Sequence, residues 1–398
     1  MDPYYVLELY AIAFIVIWTI AILFKDKLKI EISGPILMRK TTRLRNTIDS
    51  IAQKSPKFWR WSMNIGVPIC VFLMILNLPL LLYSLGLVLQ NMFTVHGSST
   101  VSGVGIAIPG INIPGSSFSL PLVDGLIGLV IVIVVHEFAH GILARTAGIK
   151  IKSIGLLMLA VIPGAFVEPD EEGIKKASRL TKLRIYAAGS MSNLVVAFIA
   201  FLLLTALSSF FIAPSFHSQG VEVQNTMPNT PAYGVLQNGM VITHINGYEV
   251  SNITTFTDIL STKVKPGQEV NITTNQGTFK LKTIANSNNT NHAYLGVIAQ
   301  NHLTVNQDFA SKYGDTLPWF LYSLWWLFYW IFFLNIGIGT FNLLPAKPLD
   351  GGLMFEEILS SKMSDGLANR ITNSVSVFSW MIVIILIGVT IIPAMPKI

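Results

Sequence analysis

The stretch "IVIVVHEFAHGILAR", Ile131 to Arg145, puts two histidines and a glutamate into a run that otherwise reads as lipid-facing helix. Ionisable groups in a bilayer are costly unless they are paired, hydrated or bound to metal. The run is one of six long enough to cross a membrane, near Tyr4–Phe24, Asn64–Gln90, Pro121–Arg145, Arg184–Ile212, Pro318–Leu344 and Asn373–Ile392, each close to the roughly 20 apolar residues a span requires. The first run carries Asp2 and no basic residue at its start, and no small-residue cleavage site follows, so it reads as a span and not a signal peptide.

The 398 residues are 52% hydrophobic and only 12% charged, which excludes an ordinary soluble protein. The net charge of +6 is a matter of topology and not a nucleic-acid footprint, because the basic residues sit between the apolar runs. Residues 25–60 hold ten Lys/Arg and residues 147–184 hold seven, whereas residues 91–120 carry no formal charge. Positive loops stay in the cytoplasm, so residues 91–120 and both termini are expected outside. The sequons at Asn252, Asn271 and Asn288 all follow the fourth span and agree with that orientation. Cys70, the single cysteine, excludes an intrachain disulfide.

His136 and His140 stand four residues apart, one helical turn, so both imidazoles share a face. Two imidazoles so placed suit a tetrahedral Zn²⁺, with Glu137 as general base on a zinc-bound water. The alternative is a histidine pair hydrogen-bonded between packed helices beside a protonated Glu137. A catalytic zinc takes three protein ligands, and "FNLLPAKPLDGG", residues 341–352, offers Asp350 just past the fifth span. Two prolines break the helix before it, and two glycines after it permit close backbone approach. Alone, Asp350 could be an N-cap for a helix starting near Leu353; beside the two histidines, the ligand reading is the stronger.

Together, "HEFAH", "GSMSN" (Gly189–Asn193) and "NLLPAKPLDGG" resemble the site-2 protease family of intramembrane zinc metalloproteases. The resemblance implies that His136, His140 and Asp350 bind one Zn²⁺ and that Glu137 activates water. It aligns Asn193 and Asn342 with family amides, read either as binding a substrate strand or stabilising the oxyanion, or as hydrogen-bonding between helices. The expected substrate is a transmembrane segment of a membrane protein, single-span and already trimmed outside. A metal transporter or metal-binding scaffold using the same cluster is the other class, but no internal repeat accompanies it.

Four regions are expected. Residues 1–120 hold two accessory spans, 121–212 hold core helices with HExxH, 213–310 form an extracytoplasmic domain, and 311–398 hold the LDG core helix and a last span. Spans one, two and six lie outside the family's common core and are expected to act as a lid or substrate gate. "PAYGVLQNGMVITHINGYEV…KPGQEV" resembles a PDZ domain, which implies capture of an extended peptide or trimmed ectodomain at a sheet edge; a spacer that binds nothing is the alternative. Within it, "NTPAYGVLQN" reads as a turn with a short helix and "GQEVNITTNQGTFKLKTIA" as a hairpin. Ile151–Val167, interrupted at Pro163-Gly164, reads as a re-entrant β-hairpin able to hold an extended substrate, or else as an interfacial loop. The acidic Glu168–Glu172 reads as a solvated turn, and residues 36–60 as an interfacial helix on anionic lipid. His96, His217, His244, His292 and His302 lack ligand-like spacing. Counting 1.5 Å per residue from Pro121, His136 lies roughly 22 Å from the outer boundary and about 14 Å from Arg145, nearer the cytoplasm.

Overall fold

The computed structural model describes residues 3–42, 44–94, 108–111, 120–286 and 289–391. His96 and Asn288, and with them most of the neutral loop, lie outside the described residues. Among those described, six helices are long and apolar enough to cross a membrane. The chain falls into two compact units, residues 1–204 with 326–398, and residues 205–325.

The first unit opens with α1 (Pro3–Leu23) and a single turn, α2 (Lys25–Leu28). Two short strands follow, β1 (Ile30–Ser33) and β2 (Ile36–Thr41), and then α3 (Arg45–Lys54). The long helix α4 (Pro56–Thr94) takes in Trp59 and Trp61, and α5 (Leu122–Thr146) carries the HEFAH motif. The hairpin of β3 (Ile151–Leu159) and β4 (Ile162–Pro169) leads through α6 (Glu171–Lys176) to α7 (Arg179–Leu207).

Residues 36–60 are therefore not one interfacial helix. Ile36–Thr41 pair with Ile154–Leu159 of β3, giving a sheet of order β1-β2-β3-β4. The reason is polar satisfaction: a lone hairpin would leave β3 with an open row of N–H and C=O groups, and β2 closes it. The hairpin turn is held further by Ala160 N–H donating to Pro35 O (3.0 Å) and by Trp18 Nε1 of α1 donating to Ala160 O (3.0 Å). Nor is 168–172 merely a solvated turn. Glu168 accepts from Ser153 Oγ (2.5 Å), and Asp170 caps α6 through Gly173 N–H (3.0 Å). That bond and Lys152 hold the Asp170 carboxyl below its usual range.

In the second unit, α7 passes through a π-helical turn (Ser208–Ile212) and α8 (Ala213–Ser215) into β5 (Phe216–Thr226). Then come β6 (Val241–Ile245), β7 (Tyr248–Glu249), α9 (Ile253–Asp258), β8 (Glu269–Thr274) and β9 (Gly277–Lys282). The short pair β10 (Ile284–Ala285) and β11 (Ala293–Tyr294) precedes β12 (Val297–Val305) and α10 (Gln307–Tyr313). The main sheet runs β12-β5-β6-β8-β9, with β7 on β6. Its core joins Val221, Ile242, Ile245, Ile272 and Leu295 with Phe256 and Leu260. This is the inserted α+β domain; residues 229–238 form turns with no short helix, while the 275–276 hairpin turn is as expected. Asn252 accepts from Thr255 N–H (2.9 Å), so that sequon residue also starts α9.

The chain then returns to the first unit through α11 (Thr316–Phe341), α12 (Asp350–Leu359) and α13 (Asp365–Ile391). Helices approach closely where side chains are small. A Cβ on Gly128 of α5 would meet the Leu334 side chain of α11, and one on Gly339 of α11 would lie 3.0 Å from Cβ of Asn193. One core cluster joins Cys70, Ile142, Ala187, Leu343 and Met354 with Ile151 and Val167, so the sheet and the motif-bearing helices share a common interior.

The sheet depends on Gly155, where a Cβ would fall into the Phe166 ring and 2.9 Å from Arg39 O. Gly155→Ala is expected to lower stability by about 1–3 kcal/mol through overpacking. An unchanged unfolding midpoint for the detergent-solubilised protein would refute this packing account.

Candidate metal centre

Helix geometry and one loop bring the ionisable groups together. On α5, His136 and His140 are one turn apart, with ring centroids separated by 4.8 Å. Asp350 arrives from the other side as the first residue of α12. Its side chain does not cap that helix; Leu349 is the N-cap, and Asp350 Oδ2 turns to the imidazoles. It lies 3.3 Å from His136 Nε2 and 3.4 Å from His140 Nε2, while the two Nε2 atoms are 3.2 Å apart. Among the described residues, these three form the group that could hold a metal ion.

The triangle has the size of a metal site. Tetrahedral ligands at about 2.0–2.1 Å from a shared centre stand about 3.3 Å from one another. The lone pairs point the same way. His140 Nδ1 donates to Ile185 O (2.7 Å), so in the neutral ring Nε2 is left as a donor to metal. His136 Nδ1 lies 3.2 Å from the Asn193 amide, and Asn193 is fully buried with its Oδ1 unpaired. Turning the amide over gives that oxygen the His136 Nδ1–H and directs Nε2 at the centre. The donor set, one carboxylate and two oriented imidazoles, fits a divalent cation.

The loop that delivers Asp350 requires its glycines. A Cβ on Gly351 would overlap Leu343 and Leu344 backbone atoms, and one on Gly352 would lie 2.7 Å from Ala346 O. Gly351 N–H donates to Asn342 O (2.8 Å), so Asn342 closes the loop through its backbone.

Two residues beside the site were not singled out from the sequence. Ser190 Oγ donates to Asp350 Oδ2 (3.3 Å), and a Cβ on Gly189 would come within 2.6 Å of His136 Nε2. Their signal was available. Gly189, Ser190 and Asn193 lie at spacings of one and four, on the helical face that must oppose α5.

Glu137 points elsewhere. Its Oε2 accepts the N–H of Val167 on β4 (3.1 Å), tying the carboxylate to the end of the hairpin. Val167 N–H therefore faces away from β3, and by strand alternation so do the N–H and C=O of Ala165. β4 is an edge strand.

Six helices long and apolar enough to cross a membrane, with a His-His-Asp group among them, define a polytopic membrane protein with a candidate metal centre. Residues 124–386 match the model of Peptidase family M50, and the chain belongs to that family. An uncharacterized protein of Methanocaldococcus jannaschii is 31% identical over 343 residues, 85% of this chain and 81% of its own length. A membrane-bound transcription factor site-2 protease homolog of Arabidopsis thaliana is 32% identical over 129 residues, 31% of this chain and 24% of the relative. Among solved structures, the PDZ domain of an SdrC-like protein from Listeria innocua is 26% identical, covering 21% of this chain and 96% of that domain, with a TM-score of 0.19.

Because Gly189 abuts both imidazoles, Gly189→Ala is expected to weaken metal binding about 10–100-fold. Gly337→Ala, which meets only open space, leaves it unchanged. Competition with a coloured chelator reads both, and equal affinity in the two variants would contradict the packing argument.

Proposed function

We propose that the chain is a site-2-type intramembrane zinc endopeptidase that cuts transmembrane segments of other membrane proteins. The observation that carries the reading is the near-equilateral His136–His140–Asp350 triangle, 3.2–3.4 Å on each side, with Glu137 adjoining in sequence. Membership of a peptidase family and the similarity to a site-2 protease homolog support it.

His136, His140 and Asp350 would hold the zinc, which when bound supplies Lewis acidity toward water and the scissile carbonyl. Glu137 acts as general base. With Oε2 engaged by Val167, Oε1 takes the proton of the attacking water as the new C–O bond forms. The same carboxyl then returns that proton to the amide nitrogen as the C–N bond breaks. Asn193 holds His136 in its ligating tautomer, a role closer to the metal than the substrate-strand or oxyanion role anticipated for it. Asn342 serves through its carbonyl, as the closing point of the Asp350 loop.

A peptide bond inside a transmembrane helix is screened by the helix itself, so the substrate must unwind. The β4 edge accommodates an extended strand, with Ala165 offering one N–H and one C=O. The basic loops support an active site toward the cytoplasmic side and an extracytoplasmic inserted domain. The strand and helix order of that domain supports the PDZ-like reading, with a peptide or trimmed ectodomain as its ligand.

Glu137→Gln is expected to retain zinc and lose at least about 100-fold in cleavage of a model single-span substrate; wild-type turnover in this variant would sink the assignment. Ala165→Pro removes an edge donor. It is expected to reduce kcat/KM about tenfold with zinc content unchanged, since one lost hydrogen bond is worth about 1 kcal/mol or somewhat more. An undiminished kcat/KM would remove β4 as the docking strand.

A further inference from the structure

The last helix, α13, contributes no ligand to the centre, yet three of its side chains converge on one residue of the ligand loop. Lys347 N–H donates to Ser376 Oγ (2.8 Å), and Lys347 O accepts from Trp380 Nε1 (2.9 Å). The Lys347 ammonium reaches Asn369 Oδ1 (3.2 Å) and pairs with Glu356 of α12. Asn369, Ser376 and Trp380 are spaced by seven and four residues, which places them on one face of α13.

Each contact has the chemistry of a designed restraint. Ser376 is 6% exposed and spends its hydrogen on Thr372 O (2.6 Å), leaving a lone pair for Lys347 N–H. The Trp380 ring meets Phe341 edge to face at 6.1 Å, which fixes the direction of its N–H. The loop between this tether and the ligand is closed by its own backbone hydrogen bonds. Leu349 N–H donates to Ala346 O (2.9 Å) and Gly352 N–H to Leu349 O (3.0 Å). Asp350 follows Lys347 by three residues, so a shift at Lys347 is carried to the carboxylate.

We propose that Ser376 and Trp380 are positioning residues that set the place of Asp350 in the metal triangle, making α13 part of the catalytic frame and not a detachable accessory. The proposal rests on the reading of His136, His140 and Asp350 as metal ligands. A helix that only packed against the core would need neither hydrogen bond, because the apolar cluster of Ile382, Val383 and Leu386 with Leu81 and Val88 already joins α13 to α4.

The test is Zn²⁺ affinity of the full-length protein in detergent, measured against a coloured chelator, with thermal unfolding of the zinc-free protein alongside. Trp380→Phe keeps the ring and removes the N–H; Ser376→Ala removes the acceptor and Ser376→Thr restores it. Trp380→Phe and Ser376→Ala are each expected to weaken zinc binding about tenfold, with Ser376→Thr within about threefold of wild type and His136→Ala losing the site. Wild-type affinity in Trp380→Phe and Ser376→Ala, with His136→Ala still deficient, overturns the proposal alone. Wild-type affinity in His136→Ala overturns the ligand reading and this proposal with it. If Ser376→Ala fails to fold, Trp380→Phe decides.

Discussion

The meeting of Asp350 with two imidazoles governs the rest of the first unit. A carboxylate and two ring nitrogens within 3.4 Å of one another, surrounded by apolar helices, would be an unfavourable grouping without a cation to share. Holding them there requires a break in the chain after α11, a tight turn free of Cβ atoms at Gly351 and Gly352, and close approach of α7 at Gly189. Each requirement limits which residues the surrounding helices can carry.

Helix α7 bears the heaviest share of this constraint. Over one turn it offers Gly189, which makes room for the rings, Ser190, which donates to Asp350, and Asn193, which orients His136. Below them Ile185 O fixes His140. Ser190 and Asn193 are fully buried, which strengthens the hydrogen bonds they offer, and Asn193 and Ile185 O each hold one ring to one tautomer and one direction. The charged ends of α7 and α12 are joined separately, by Lys182 with Glu357 (3.2 Å) and Arg179 with Ser360 O (2.7 Å).

Much of this was legible in the sequence, for reasons that differ by residue. The spans follow from hydropathy because lipid allows few alternatives to helix. His136 and His140 declare themselves through spacing, and Asp350 through the prolines and glycines around it. Ile36–Thr41 was illegible as a strand, because "ILMRKT" does not alternate and β3, its partner on one side, lies more than a hundred residues away. The short helix expected in 229–238 gave way to turns, as local propensity for one turn of helix is too weak to stand alone. Gly189 and Ser190 were quoted within a motif but given no role; their spacing marks the face of α7 turned to α5, while the atoms they meet there are visible only in the structure. Lys347 was equally silent: its backbone, not its side chain, makes the bonds to Ser376 and Trp380.

The bond from Val167 N–H to Glu137 joins a sheet edge to a carboxylate, so the two cannot move independently. On the proposed docking of a substrate strand at β4, that edge is a ruler with its zero mark at Glu137. A chain laid along it is measured by the count of backbone pairs from that mark, whatever side chains it carries. In that reading, tolerance for sequence and strictness about distance come from the same hydrogen bond.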